Sequence, residues 1–225
     1  MLHEGFTRQH RMLGRVAAFA VFFLLIAYAV TLVLGFLSLK SSRDPIGDPF
    51  FSILELLIVV IAPLMIIVMI AVHAYASPET RVYSLTALVF MALMASITCT
   101  VHFVILTVSR QIESAGFPWA SLFFSFRWPS VAYTMDILAW DFFFALSMLF
   151  AAPVFRIGRL EKTIRSLMIV SGVLSLAGLI GVPLANMNVR NIGIVGYAGV
   201  SMVVFLLLGI VFGRTQQVPE ETRPD

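Results

Sequence analysis

The sequence has very little cysteine and very little charge. Its single cysteine, Cys99, excludes an intramolecular disulfide and any multi-cysteine metal or iron–sulfur site. Charged residues make up 12% of the chain, where a soluble domain carries about 25%. No basic tract is long enough to suit nucleic acid, and the formal net charge is only +3. There is no HExxH, GxSxG, P-loop or GxGxxG in a suitable context, so no nucleotide, dinucleotide or common hydrolase chemistry is indicated, and no cofactor is named by the residues.

What the sequence has in abundance is apolar residue. Hydrophobic side chains account for 60% of the chain and the mean hydropathy is +0.99. They fall in runs long enough to cross roughly 30 Å of hydrocarbon at about 1.5 Å per residue. In lipid each backbone N–H and C=O must be satisfied within the protein, so such runs must be helical. The reading is an all-α, polytopic integral membrane protein of the cytoplasmic or plasma membrane, a single membrane domain with the lipid bilayer as its partner. A bundle of six transmembrane helices is expected, with spans at 16–39, 50–75, 82–108, 130–155, 164–185 and 191–213. The first run follows Arg8, Arg11 and Arg15, as a signal peptide would, but is too long for a cleavable core and reads as a retained span.

The breaks have physical causes. Lys40 to Pro45 combines charges, hydroxyls and a proline, which stops the first helix. Ser77-Pro78-Glu79 starts the third. Asn186 to Asn191 reads as a short polar turn making spans five and six a tight hairpin. Basic residues alternate in density: the segments on the N-terminal side of the membrane hold ten and the opposite segments five. That bias predicts N-in/C-in, with Arg159 and the tail after Arg214 cytoplasmic and Arg43 outside. The one long connection, the outer aromatic loop 109–129, carries Phe117, Trp119, Phe123, Phe124, Phe126 and Trp128, rings suited to the headgroup level. It reads as interfacial or partly re-entrant, with a lid over a pocket as the functional alternative.

Small residues form stripes at Ser171, Ser175 and Gly178 in span five and at Gly193, Gly196 and Gly199 in span six, and predict close helix–helix contacts. Pro63 lies mid-span in the second helix, where it is expected to produce a kink.

Ionisable residues within the spans are few: Glu55, His73, His102, Asp136 and Asp141. Each charged group costs about 2.5–3.5 kcal/mol at a helix centre, so such groups turn to the bundle interior and a partner. Glu55, His102 and Asp136 fall at one depth, about 7–9 Å below the outer boundary by helical rise. Thr98 shares the face of His102, four residues on. Asp136 and Asp141 project about 140° apart on an α-helix, which gives Asp141 a separate contact. His73 lies at the opposite end and reads as an ordinary interfacial histidine. Glu55, Thr98, His102, Asp136 and Asp141 are therefore the candidate binding residues, and no metal is assigned to them.

Three readings fit such a cluster. It can hold the bundle in register, bind or translocate a cation or organic solute through an outward-facing polar site, or serve a membrane-embedded enzyme acting on lipid, with His102 and a carboxylate as acid–base groups or metal ligands. Among active roles the sequence favours the binding or transport protein. An accessory subunit of a larger complex, with no site of its own, is the remaining alternative. A homo-oligomer or a partner subunit stays open at this point.

Overall fold

The computed structural model describes residues 6–41 and 44–215; Arg43, and the tail from residue 216 onward, lie outside the described residues. Six helices are long and apolar enough to cross a membrane: α1 (Arg8–Leu37), α2 (Phe50–Tyr75), α3 (Pro78–Ile112), α4 (Val131–Val154), α5 (Gly158–Gly181) and α6 (Met187–Arg214). Their outward-facing sides carry exposed Phe23, Val33, Leu56, Val82, Phe103 and Val173, an apolar outer surface compatible with hydrocarbon around the bundle.

The helices form a closed ring. Each packs on the helix before and after it in sequence, and α6 returns to pack on α1. Small residues set the approach. A Cβ on Gly14 would collide with Ala71 of α2, and one on Gly209 would meet the Phe19 ring of α1 at 3.0 Å. A Cβ on Gly172 would lie 2.9 Å from the Ala145 carbonyl of α4. Hydroxyls then bridge neighbouring helices: Ser147 donates to the Ala87 carbonyl at 2.8 Å and Ser171 to the Gly196 carbonyl at 2.8 Å. His73 Nδ1 meets the Ser84 hydroxyl at 2.9 Å across α2 and α3.

One half of the ring is filled by apolar side chains. Ile61, Met65, Met69, Met91, Met94, Phe144, Met148, Phe205 and Phe212 are fully buried. Unbranched methionines fill the irregular space between six converging helices. At the end holding both chain termini, Phe6 packs edge-on to Tyr75 and beside Phe212, and Tyr75 stacks on Phe155 at 5.7 Å. Tyr75 donates to Glu161 at 2.7 Å, and Glu161 also accepts the backbone N–H groups of Arg156 and Ile157 at the start of α5. This end is plugged.

Several sequence boundaries shift. The third helix runs to Ile112, into the region expected as loop 109–129, and a short helical turn follows at Ala120–Phe124. The sixth begins at Met187, capped by the Asn186 side chain, which accepts from Asn188 N–H at 3.0 Å. Asn188 to Asn191 therefore belong to the helix and not to the turn. Three helices also widen into π-helical segments, Ile105–Ser109, Leu138–Phe144 and Val195–Val200, all in the half of the bundle opposite the termini.

Candidate functional site: a buried ionic chain beneath a cavity

In the half away from the plug, ionisable side chains from four helices meet inside the ring. Glu55 of α2 and His102 of α3 are 4% and 6% exposed, and His102 Nδ1 lies 2.7 Å from Glu55 Oε2. The other ring nitrogen, Nε2, lies 3.4 Å from Asp136 Oδ1 of α4. The far oxygen of Asp136 is 3.9 Å from Arg190 Nη2 of α6, and the same guanidinium nitrogen donates to Asp141 Oδ2 at 3.0 Å. Arg190 is 3% exposed and Asp141 is fully buried. The result is a continuous sequence of charges: Glu55, His102, Asp136, Arg190, Asp141.

The equal depth of Glu55, His102 and Asp136 in the sequence thus corresponds to direct contact in space. Thr98 is buried one turn below His102, but its hydroxyl points to Met94 Sδ at 3.5 Å. Asp141 corrects the α-helical expectation. The π-helical Leu138–Phe144 lowers the rotation per residue, because an i→i+5 ladder brings residues about five apart back to one side. Asp136 and Asp141 consequently approach the same guanidinium, although they do not touch each other.

Arg190 is the residue that sequence reasoning missed. Beside Asn188 and Asn191 it reads as part of an exposed turn. The signal was the cap: with Asn186 as N-cap, Arg190 falls in the first full turn of α6, one helical face with Gly193 and Tyr197. Its guanidinium sits over Tyr133 at 5.2 Å and over Tyr197 at 5.6 Å, rings that stabilise a desolvated cation. Asp141 occupies a notch between α5 and α6. A Cβ on Gly178 would come to 2.6 Å of its Oδ1, and one on Gly193 would overlap that oxygen.

Two buried atoms of this chain, Asp141 Oδ1 and Arg190 Nε, have no hydrogen-bond partner among the described residues, and the His102 Nε2–Asp136 Oδ1 contact at 3.4 Å is long for a hydrogen bond. Such atoms are uncommon in a folded interior, since each costs about 1–3 kcal/mol. Nδ1 on one carboxylate and Nε2 facing another is an arrangement that suits imidazolium, with both nitrogens as donors. Among the described residues, no group of three or more His, Cys, Asp or Glu is placed to hold a metal ion.

Glu55 also lines a cavity of about 920 Å³ on the other side. Its wall is built by Tyr28 of α1, the stretch from Asp44 to Asp48, Phe51 and Leu54 of α2, Ser109 and Arg110 of α3, and the 121–127 segment with Phe124, Phe126 and Arg127. The Phe126 ring lies against His102, centroids 5.1 Å apart, so Phe126 stands between the cavity and the imidazole, while Glu55 is the member of the ionic chain that reaches the cavity wall. The aromatic connection is thus part of the cavity wall, while Phe117, Trp119 and Phe123 form an exposed ring cluster beside it. At the rim Arg110 donates to Asp48 at 3.0 Å and to the Ser52 hydroxyl, and Ser52 donates to Asp48 at 2.5 Å. The Ser52 hydrogen bond first, and then the Arg110 charge, hold the Asp48 carboxyl below the usual carboxylate range.

No protein-family model matches the chain, and neither a curated protein nor a solved structure shows significant similarity to it.

Proposed function

We propose that this chain is a small-solute binding or transport protein of the cytoplasmic membrane, a single membrane domain with both termini inside and its polar site opening outward. The observation that carries the reading is the double position of Glu55. Its carboxylate lines the cavity and is also the first member of the buried ionic chain. A ligand in the cavity therefore acts directly on charges deep in the bundle. Purely structural polar groups tend to be fully satisfied, whereas Asp141 Oδ1 and Arg190 Nε are buried without a hydrogen-bond partner among the described residues, and His102 Nε2 and Asp136 Oδ1 meet only at a long 3.4 Å. The orientation rests on the basic bias, which sharpens once Arg190 is removed from the outer count: ten inner residues face four. Under that orientation the aromatic plug faces the cytoplasm and the cavity faces out.

Cysteine accessibility tests the reading. In a Cys99→Ser background, Ser125→Cys places a thiol on the cavity wall. A membrane-impermeant maleimide added to intact cells is expected to label it. Labelling confined to inside-out vesicles reverses the orientation, and no labelling from either side removes the open cavity.

A further inference from the structure

We propose that the occupant of the cavity is a small organic cation, an amine with an apolar body, and that it binds in exchange for one proton held by the buried ionic chain. This rests on the outward-facing cavity proposed above and names its ligand class and coupling.

The charge count points to a cation. The chain contains three carboxylates, Glu55, Asp136 and Asp141, against two cationic groups, Arg190 and His102 with both nitrogens protonated. Among the described residues, the remaining charges of the cavity wall balance: Asp44 and Asp48 against Arg110 and Arg127. One negative charge in the buried set is left over, in a setting where an uncompensated charge is costly. Two things can compensate it: a proton on the carboxylate system, or a positive group in the cavity beside Glu55. The two exclude one another, because either alone brings the set to neutrality. The wall supplies the matching surface for a cation with an apolar body, since the rings of Tyr28, Phe51, Phe124 and Phe126 all line it.

The exchange balances in mass and charge. An outer cation enters, one proton leaves the Glu55–His102 pair through the cavity to the outer solution, and the protein's net charge is unchanged. The groups facing that system come from every neighbouring element. They are Tyr28 from α1, Arg110 from the outer end of α3, Tyr133 and Asp141 from α4, and Arg190 and Tyr197 from α6. The Phe126 ring lines the cavity and also lies against His102, so a ligand there touches a side chain in contact with the imidazole. A quaternary or protonated amine reaches such a site from the aqueous phase or as a phospholipid headgroup.

Calorimetry on the purified full chain in detergent tests the exchange with benzyltrimethylammonium, whose charge is permanent, and neopentylbenzene, its neutral isostere. Titration in two buffers of different ionisation enthalpy gives the protons released. The expected result is about one proton per cation bound, with affinity rising by up to about tenfold per pH unit across the window in which the site titrates. The isostere releases none. Glu55→Gln keeps the hydrogen bond to His102 but removes the leftover charge, and is expected to abolish both proton release and pH dependence. Should that variant fail to fold, the wild-type proton count still decides. Binding without proton release between about pH 5 and 9 overturns the exchange. Protection of Ser125→Cys from maleimide by neutral or anionic solutes, but not by the cation, overturns the ligand class while leaving the cavity in place. In lipid nanodiscs of equal anionic-lipid content, which fixes the surface potential, probe affinity about tenfold weaker when the uncharged remainder is phosphatidylethanolamine than when it is an amine-free galactolipid assigns the amine to the headgroup, and equal affinity assigns it to the aqueous phase.

Discussion

Arg190 has the greatest consequence of any single side chain in the bundle. Among the described residues it is the guanidinium that touches Asp141, and removing one partner of a buried pair costs about 3–5 kcal/mol because the other charge is left uncompensated. Arg190→Gln is expected to lower the melting temperature in detergent sharply, and Asp141→Asn in the same chain is expected to recover much of the loss. Strict additivity of the two substitutions in a double-mutant cycle would sink this account. The rim pair behaves differently. Asp48 is exposed, so its ties to Ser52 and Arg110 contribute modestly. Because its folded pKa is depressed, that contribution is present above its unfolded value near about 3.9 and lost as pH falls through the folded value. The difference in melting temperature between wild type and Asp48→Asn is therefore expected to be small and constant from about pH 5 to 8, and to shrink in stronger acid. At this scale the sequence revealed Glu55, His102 and Asp136 through their common depth, since helical rise converts residue number directly into depth. Arg190 stayed hidden because asparagine serves equally well in a turn and as a helix cap, and local composition does not separate the two.

At the scale of elements, the π-helical segments explain where periodic reasoning holds and where it fails. In regular α-helix the small-residue stripes fall where spacing predicts. Ser171 and Ser175 are fully buried, and a Cβ on Gly178 would lie 2.9 Å from the Gly193 Cα. Gly199, read as part of the same face, has as its nearest neighbour only Val195 Cγ1 of its own helix, 4.0 Å away. It lies within Val195–Val200, where the wider turn rotates it off the α5 contact. Gly193→Ala, whose new methyl would overlap the Asp141 oxygen, is expected to destabilise the bundle by about 1–3 kcal/mol, as overpacking does. Gly199→Ala is expected to change stability by less than about 0.5 kcal/mol. Thermal unfolding of the two variants in detergent ranks them, and the reverse order would remove the proposed role of the notch. Hydrophobic run length made the spans legible, but a π-turn leaves no mark in hydropathy, so the convergence of Asp136 and Asp141 on one guanidinium had no visible signal.

For the whole molecule, the closed ring makes the two ends unlike. The end with the termini is held by Phe6, Tyr75, Phe155 and Phe212, and the opposite end contains the cavity. With an even number of spans, the loop at Arg159 and the C-terminal end of α6 share one side. In the Cys99→Ser background, Arg159→Cys is expected to label from the cytoplasmic side and Ser125→Cys from the outer side; labelling of both from one side would contradict the six-span topology. The ring also brings the two ends of the chain together. Arg11 of α1 donates to the Thr215 carbonyl at 3.2 Å, immediately after α6. A linker could therefore join the start of α1 to the end of α6, and the chain could be reopened at the Asn186 turn as a circular permutant. Such a permutant would begin at α6 and run through α1 to α5, keeping every helix contact of the parent. Its insertion into the membrane would have to start with the one helix whose first turn carries a buried arginine. The order in which the spans enter the bilayer, and not only their final packing, would then decide whether Arg190 finds Asp141.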